Sequence, residues 1–287
     1  MRSRWARHLG VALAVVIATA RVAVADGETP SERAARLVED FNDPLTTVPQ
    51  IFLKDTYTPA NFGTDDQTNR LIARLLIPRG PRISIFPDQL IRPTFQLVTV
   101  PNGPGKGTRT EFGDIQLFDV AVLPWPSHES GFYWGVGPVF VFPTATNPAA
   151  GQGAWQVGPT LGAVYKGIPG LLFGGLIQNP ISFAYTSHDR QPVNTLFVQP
   201  IALAYIGHGL YLKSGDSTWA MGWRHGNATT LPLSFGVGYV LLREDWPVIN
   251  VYVSGEWMAY RQHAPFAPQT SVDFGLSVAF PDLRPWD

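Results

Sequence analysis

The stretch Ser271-Val272-Asp273-Phe274-Gly275-Leu276-Ser277-Val278-Ala279-Phe280 decides the fold. Every second residue, from Val272 to Phe280, is large and apolar. The residues between them are small or polar, and one is a carboxylate. Successive side chains of a strand point to opposite faces, so this segment is a strand with one oily face and one wettable face. The pattern recurs upstream. Leu231, Leu233, Phe235, Val237, Tyr239 and Leu241 alternate with Ser234, Gly236 and Gly238. Ile249, Val251, Val253 and Trp257 oppose Asn250, Tyr252, Ser254 and Glu256. Trp155, Val157, Leu161 and Tyr165 oppose Gln156, Gly158, Thr160 and Gly162. Trp219, Met221 and Trp223 oppose Ala220, Gly222 and Arg224.

A soluble β-sandwich also alternates, but it buries its apolar face and wets the other. Three features favour an antiparallel transmembrane β-barrel. The strands run to about ten residues, the length that crosses a bilayer when tilted. Aromatic rings sit near strand ends, at Trp134, Phe142, Trp155, Tyr165, Tyr205, Trp257 and Tyr260, where interfacial belts want them. The opposite face carries more polar groups than a dry core could satisfy. Segment counting gives about 12 strands, in a range of 10–14. They lie near 49–58, 68–78, 91–100, 112–123, 132–143, 155–166, 169–180, 193–206, 208–224, 230–242, 247–260 and 270–280. The segment 208–224 reads as one strand or as a hairpin. Pro93, Pro138, Pro159, Pro200 and Pro232 fall inside strands, and because proline donates nothing to a ladder they belong at bulges or rims.

The composition agrees. Hydrophobic residues make up 45% of the 287-residue chain and charged ones only 15%, below the roughly 25% of a soluble protein. After the first 25 residues no run of eighteen apolar residues exists, so helices do not account for the oil. Residues 1–25 read as a signal peptide: Arg2, Arg4 and Arg7, an apolar run from Leu9 to Ala20, then Ala23-Val24-Ala25. Without them the chain holds 17 basic and 22 acidic residues, which argues against nucleic acid as a partner. There is no cysteine, which removes thiolate metal sites and cysteine nucleophiles.

Residues 26–48 form a short helical N-terminal segment. Thr29-Pro30-Ser31-Glu32 is a capping box with proline at the first helical position, and Ala34, Ala35, Leu37, Val38 and Phe41 follow it. Such a helix could plug the barrel or hang from it as a periplasmic extension. The barrel spans 49–281, and 282–287 form a C-terminal tail.

The order of several motifs resembles a family of bacterial barrel proteins associated with the MetA pathway of phenol degradation, often labelled transporters and sometimes neuromedin U. The residues that carry it are Trp134-Gly135-Val136-Gly137-Pro138 with Phe142-Pro143-Thr144-Ala145-Thr146, then Gly153-Ala154-Trp155-Gln156-Val157-Gly158-Pro159. Asn179 to Ala184, Val193-Asn194 through Gln199-Pro200, Leu231-Pro232 and Phe280-Pro281 continue it. Upstream, Asn42-Asp43-Pro44 with Val48-Pro49, and Gly113-Asp114-Ile115, extend it over roughly 40–281. The resemblance implies a barrel in the outer membrane of a Gram-negative cell with a transport role, and a small, hydrophobic or aromatic cargo. It supplies no catalytic or ligand residues. The tail beyond Phe280 departs from barrels that end the chain on an aromatic.

Charges on the lipid face would cost up to ~2–4 kcal/mol near the midplane, so polar-phase residues should face inward. Nine are lumen-lining candidates: Arg74, Arg92, Asp114, Gln116, Gln156, Arg224, Asn250, Glu256 and Asp273. They could line a permeation path, or they could form an internal ion-paired network that closes the barrel. His128-Glu129-Ser130 and Ser187-His188-Asp189 hold triad-type residues, but neighbours on a chain do not make a triad, and both lie in loops. No metal-ligand spacing and no cofactor motif is present, and Gly103 to Thr108 lacks the spacing of a phosphate loop. The expectation is therefore a non-enzymatic channel or carrier for passive passage of an unidentified small molecule. Outer-membrane lipid is its surroundings, and nothing marks an oligomeric state. A structural or adhesive barrel is the alternative reading, and a lipid hydrolase a more distant one.

Overall fold

A computed structural model describes residues 29–64, 66–79, 88–102, 107–124, 131–224, 227–242 and 247–280. Among the described residues one helix, α1 (Pro30–Asn42), precedes a sheet that closes on itself. Nine of its strands are continuous: β1 (Gln50–Asn61), β2 (Thr68–Arg79), β3 (Asp88–Pro101), β5 (Phe132–Phe142), β6 (Ala154–Ile168), β8 (Thr195–Gly207), β10 (Thr229–Leu241), β11 (Val248–Gln262) and β12 (Pro268–Ala279). Three more are each made of two halves: β4 (Thr108–Phe112 and Ile115–Pro124), β7 (Leu171–Gln178 and Ile181–Tyr185) and β9 (Leu210–Lys213 and Trp219–Gly222). The two halves of each pair with the same preceding strand, so they count as one crossing. Each strand pairs antiparallel with the next, and β12 pairs with β1 to close the wall. The result is a closed, twelve-stranded, up-and-down antiparallel barrel. Closure leaves no sheet edge, which a wall in lipid requires.

The segment 208–224 is therefore one interrupted strand and not a hairpin. Residues 214–218 leave the ladder, and the chain re-enters it on the same side.

The prolines mark where the ladder lapses. Pro93 sits where β2–β3 pairing skips from Arg74 to Ile77. Pro138 sits where β4–β5 pairing skips from Phe118 to Ala121. Pro159 faces the Asn179–Pro180 break in β7, and Pro200 faces the break in β9. Pro232 occupies a bulge opposite Met258. A residue without an N–H is placed where no partner is waiting for one.

The alternation turns the oily face outward. Phe235, Phe274 and Ile206 are each more than half exposed, and Val237, Val251, Val253 and Val272 join them. A continuous exposed apolar band of this kind needs lipid against it. Trp155, Tyr165, Trp257 and Tyr260 are exposed on this face. Tyr205 is the exception to the expected belt. Its register with Tyr211 turns it inward, where it packs on the core. Two carboxylates of the described strands lie on the outward phase: Asp55, to which Asn69 Nδ2 donates at 2.9 Å, and Asp119, beside the lapse at Pro138, to which Gln89 Nε2 donates at 2.5 Å.

The helix is a plug. Its stripe Ala34, Leu37, Val38 and Phe41, continued by Leu45 and Val48, is buried among inward-facing Leu90, Phe118, Val120, Val139, Val164, Leu172, Leu203 and Val240. The spacing i, i+3, i+4, i+7 puts that stripe on one side. The capping box forms: Glu32 N donates to Thr29 Oγ1 at 3.3 Å, and Thr29 N donates to Glu32 Oε2 at 2.9 Å. At the other end Asn42 Nδ2 caps Val38 O at 2.8 Å. The loose-extension alternative is thereby excluded, because so apolar a face does not stay in water when a matching hollow stands beside it. Residues 1–28 and 281–287, which carry the signal peptide and tail expectations, lie outside the described residues.

Candidate functional site: the barrel interior

The plug enters at the end of the barrel where β1 begins and β12 ends. The β6–β7 and β8–β9 turns at this end are two residues long, whereas the β5–β6 and β7–β8 connections at the far end are much longer.

The plug is held by a charge clamp. Lys166 Nζ lies 2.8 Å from Asp43 Oδ2 and 3.4 Å from Asp40 Oδ1, and the Tyr133 hydroxyl also donates to Asp43. Burial raises the Asp43 and Glu39 carboxyls above the usual carboxylate range, against the opposing pull of the Lys166 ammonium. Leu45 fills a seat floored by Gly135 and Gly162. A Cβ at either glycine would come within 2.9 Å of Leu45 Cδ2, so side-chain-free positions there make the seat possible.

Beyond the plug the lumen is lined by charged and amide side chains. Asp273 accepts from Thr56 Oγ1 at 2.5 Å and from Ser254 Oγ at 3.3 Å, and Lys54 Nζ stands 3.8 Å away. Glu256 faces inward on the same wall, in the combined field of Asp273, Lys54, Arg70 and Asp216. Asn250 accepts from the Tyr211 hydroxyl at 2.7 Å. Toward the far end Gln116 donates to Gln178 at 3.3 Å, Gln178 to Thr160 at 3.4 Å, and Gln156 to Gln152 at 2.6 Å.

Between the plug and these walls is a cavity of about 60 Å³, room for roughly two waters. Arg74, Arg92, Lys213, Asp216, Asn250 and Tyr252 border it, with Asn42 and Asp43 on the plug side. Lys213 Nζ pairs with Asp216 at 3.1 Å, and the Tyr252 hydroxyl donates to the same carboxylate. Arg92 lies over the Phe118 ring at 3.7 Å and Arg74 over Phe52 at 5.2 Å.

Seven of the nine candidates (Arg74, Arg92, Gln116, Gln156, Asn250, Glu256 and Asp273) thus face the interior. Asp114 and Arg224 do other things. Asp114 sits at the break in β4 and accepts the backbone amides of Ala145, at 3.2 Å, and Gln152, at 2.7 Å. It ties the β5–β6 loop to the wall. Arg224 lies just past β9, exposed at the far mouth, where it borders a second, open cleft with Arg190 and Asp189. Its phase pointed inward, but the strand ends at Gly222 before the phase can act.

Lys54, Arg70, Lys213, Asp216 and Tyr252 were not among the candidates. Lys54 and Arg70 were findable, since each shares the phase of an inward neighbour, Thr56 and Arg74 respectively. Lys213 borders the break in β9 and Asp216 lies within it, where alternation carries no information.

Ser187 donates its hydroxyl to Asp189, not to His188, and residues 128–130 lie outside the described residues. Among the described residues no cluster of three His, Asp or Glu side chains is placed to hold a metal ion, and no helix is long and apolar enough to cross a membrane.

No protein-family model matches the chain, and no curated protein matches it. Solved structures do. The COG4313 outer membrane channel from Pseudomonas putida F1 is 12% identical, with a TM-score of 0.57 over 83% of this chain and 98% of that one. The NanC porin is also 12% identical, with a TM-score of 0.50 over 80% of this chain and 98% of that one. At such identities the likeness is one of fold, and the fold is that of the outer-membrane β-barrels.

Proposed function

We propose that this chain is a non-enzymatic outer-membrane channel or carrier through which small molecules pass passively, and that helix α1 gates it from the periplasmic side. The observation that carries the reading is the division of labour inside the barrel. The wall closes without the helix, and the helix is a separate element seated by one stripe of apolar side chains and one charge clamp. A purely structural barrel has no need of a removable stopper over a polar lumen. The two similar structures, a channel and a porin, support the same class. The MetA-pathway resemblance adds a transport role, with small hydrophobic or aromatic cargo. Residues 1–25 direct the chain through the inner membrane and are then removed.

The test is conductance in a planar lipid bilayer. The full mature chain should show a low, flickering current, and a chain lacking residues 26–45 should show stable stepwise openings. Equal and negligible current from both, with folding and insertion verified, would favour the structural or adhesive reading and would sink the channel.

A further inference from the structure

The charges around the 60 Å³ cavity do not balance. Asp43 is neutralised by Lys166 at 2.8 Å, and Asp216 by Lys213 at 3.1 Å. Lys54 stands by Asp273 at 3.8 Å. That leaves Arg74 and Arg92. Among the described residues neither has a carboxylate within salt-bridge distance, and the Nε of each is buried without a hydrogen-bond partner. Arg92 is only 8% exposed. A guanidinium presents five donors in a planar fork and keeps its charge, so a buried and unpaired one is costly. Arg74, partly buried, borders the same cavity close enough to repel Arg92, which raises that cost. Natural barrels can place arginines on the wet face without this arrangement. Here both arginines border one pocket, roofed by a plug.

We infer that Arg74 and Arg92 form an anion-binding station in the lumen, and that its ligand is the carboxylate of a small organic acid. The inference rests on the channel reading and names its cargo class. The chemistry favours a carboxylate for three reasons. Its two oxygens match the arginine fork in a bidentate pair. The net charge left over by the internal pairs is positive and local. The guanidinium planes lie over Phe118 and Phe52, and Tyr252 stacks with Phe52 at a ring separation of 6.4 Å, so the surroundings are aromatic. A flat acid can slide along such walls. At about 60 Å³ the cavity holds only the carboxylate headgroup, so the body of the ligand must lie outside it.

Benzoate is the probe, and benzyl alcohol is its neutral counterpart. Binding is followed by isothermal titration and by the thermal midpoint of the mature protein in detergent. Benzoate should bind saturably and raise the midpoint, and benzyl alcohol should do neither. Arg74→Met and Arg92→Met should each weaken benzoate binding by at least about tenfold, as loss of a charge-assisted hydrogen bond implies. Without ligand, each variant should be at least as heat-stable as the parent, since an uncompensated buried charge is removed. That second reading separates loss of the site from loss of the fold. Benzoate binding that survives both substitutions would overturn the inference, as would equal binding of benzyl alcohol. Tighter binding of inorganic phosphate than of benzoate would overturn the carboxylate assignment. Binding in detergent is independent of current across a bilayer. A silent bilayer with intact benzoate binding defeats the channel, whereas stepwise current without binding defeats the anion station.

Discussion

Replacing Lys166 with methionine should unseat the plug, and the size of the effect can be worked out. Asp43 is 2% exposed as a side chain, and Lys166 is its cation at 2.8 Å. Taking away one partner of a buried pair costs about 3–5 kcal/mol, because the other charge is left stranded. The stranded carboxylate has an escape, which is to take up a proton. From an ordinary aspartate value near 3.9, protonation at pH 7 costs about 4 kcal/mol, and this caps the penalty. The undocked population of α1 should therefore rise by about 10²- to 10³-fold at pH 7. The sign with pH follows. The penalty exists only where free Asp43 is ionised, so it shrinks as pH falls toward 4, by about tenfold in population per pH unit. The chain has no cysteine, so a single Val38→Cys reports docking without background. Val38 is fully buried, and a membrane-impermeant maleimide can reach it only when the helix leaves. Labelling of the Lys166→Met variant should be faster than that of its parent by the stated factor at pH 7 and by about tenfold less at pH 6. Rates are normalised to an exposed reference cysteine, and Lys166→Arg serves as the charge-keeping control. Equal labelling in parent and Lys166→Met would show that the apolar stripe alone seats the helix and that the clamp is incidental.

Gly162→Val should evict Leu45 from its seat. A Cβ there already comes within 2.9 Å of Leu45 Cδ2, so bilayer conductance should rise while the barrel's own heat stability holds. Asp114→Ala removes the acceptor of two backbone amides, each bond worth about 1.5–3 kcal/mol. Proteolysis between residues 143 and 153 should accelerate by at least tenfold, with the thermal midpoint nearly unchanged. Phe274→Arg puts a charge on the lipid face, where the ring is 57% exposed. It should cost about 2–4 kcal/mol by urea titration in vesicles if the site is at mid-depth. The same change in a soluble protein would be nearly silent.

Most of the wall was legible because a two-residue period survives any local accident. The segment 270–280, the clearest in the sequence, is β12, Pro268–Ala279, and its Asp273 faces inward with Ser271 and Ser277. Where the period broke, so did the reading. The 214–218 excursion looked like a turn and hid Lys213 and Asp216, which border the cavity. Asp55 and Asp119 sit on the outward phase, so a rule assigning every charge to the lumen would misplace them. Tyr205 was read as a belt aromatic from its place at a strand end, yet a ring there serves equally well inside, and register alone decides. The plug was undecidable from sequence. An amphipathic helix announces that it will cover something, and only the glycines at 135 and 162, far along the chain, make the hollow that receives it.

Helix α1 precedes β1 in the chain, yet it packs mainly on β8 and β10. It precedes every described strand in the chain, and its berth is not complete until those late strands are in place. Its apolar stripe must therefore wait, uncovered by its berth, through most of assembly. Docking then follows closure of the wall, so the barrel passes through an unstoppered stage first.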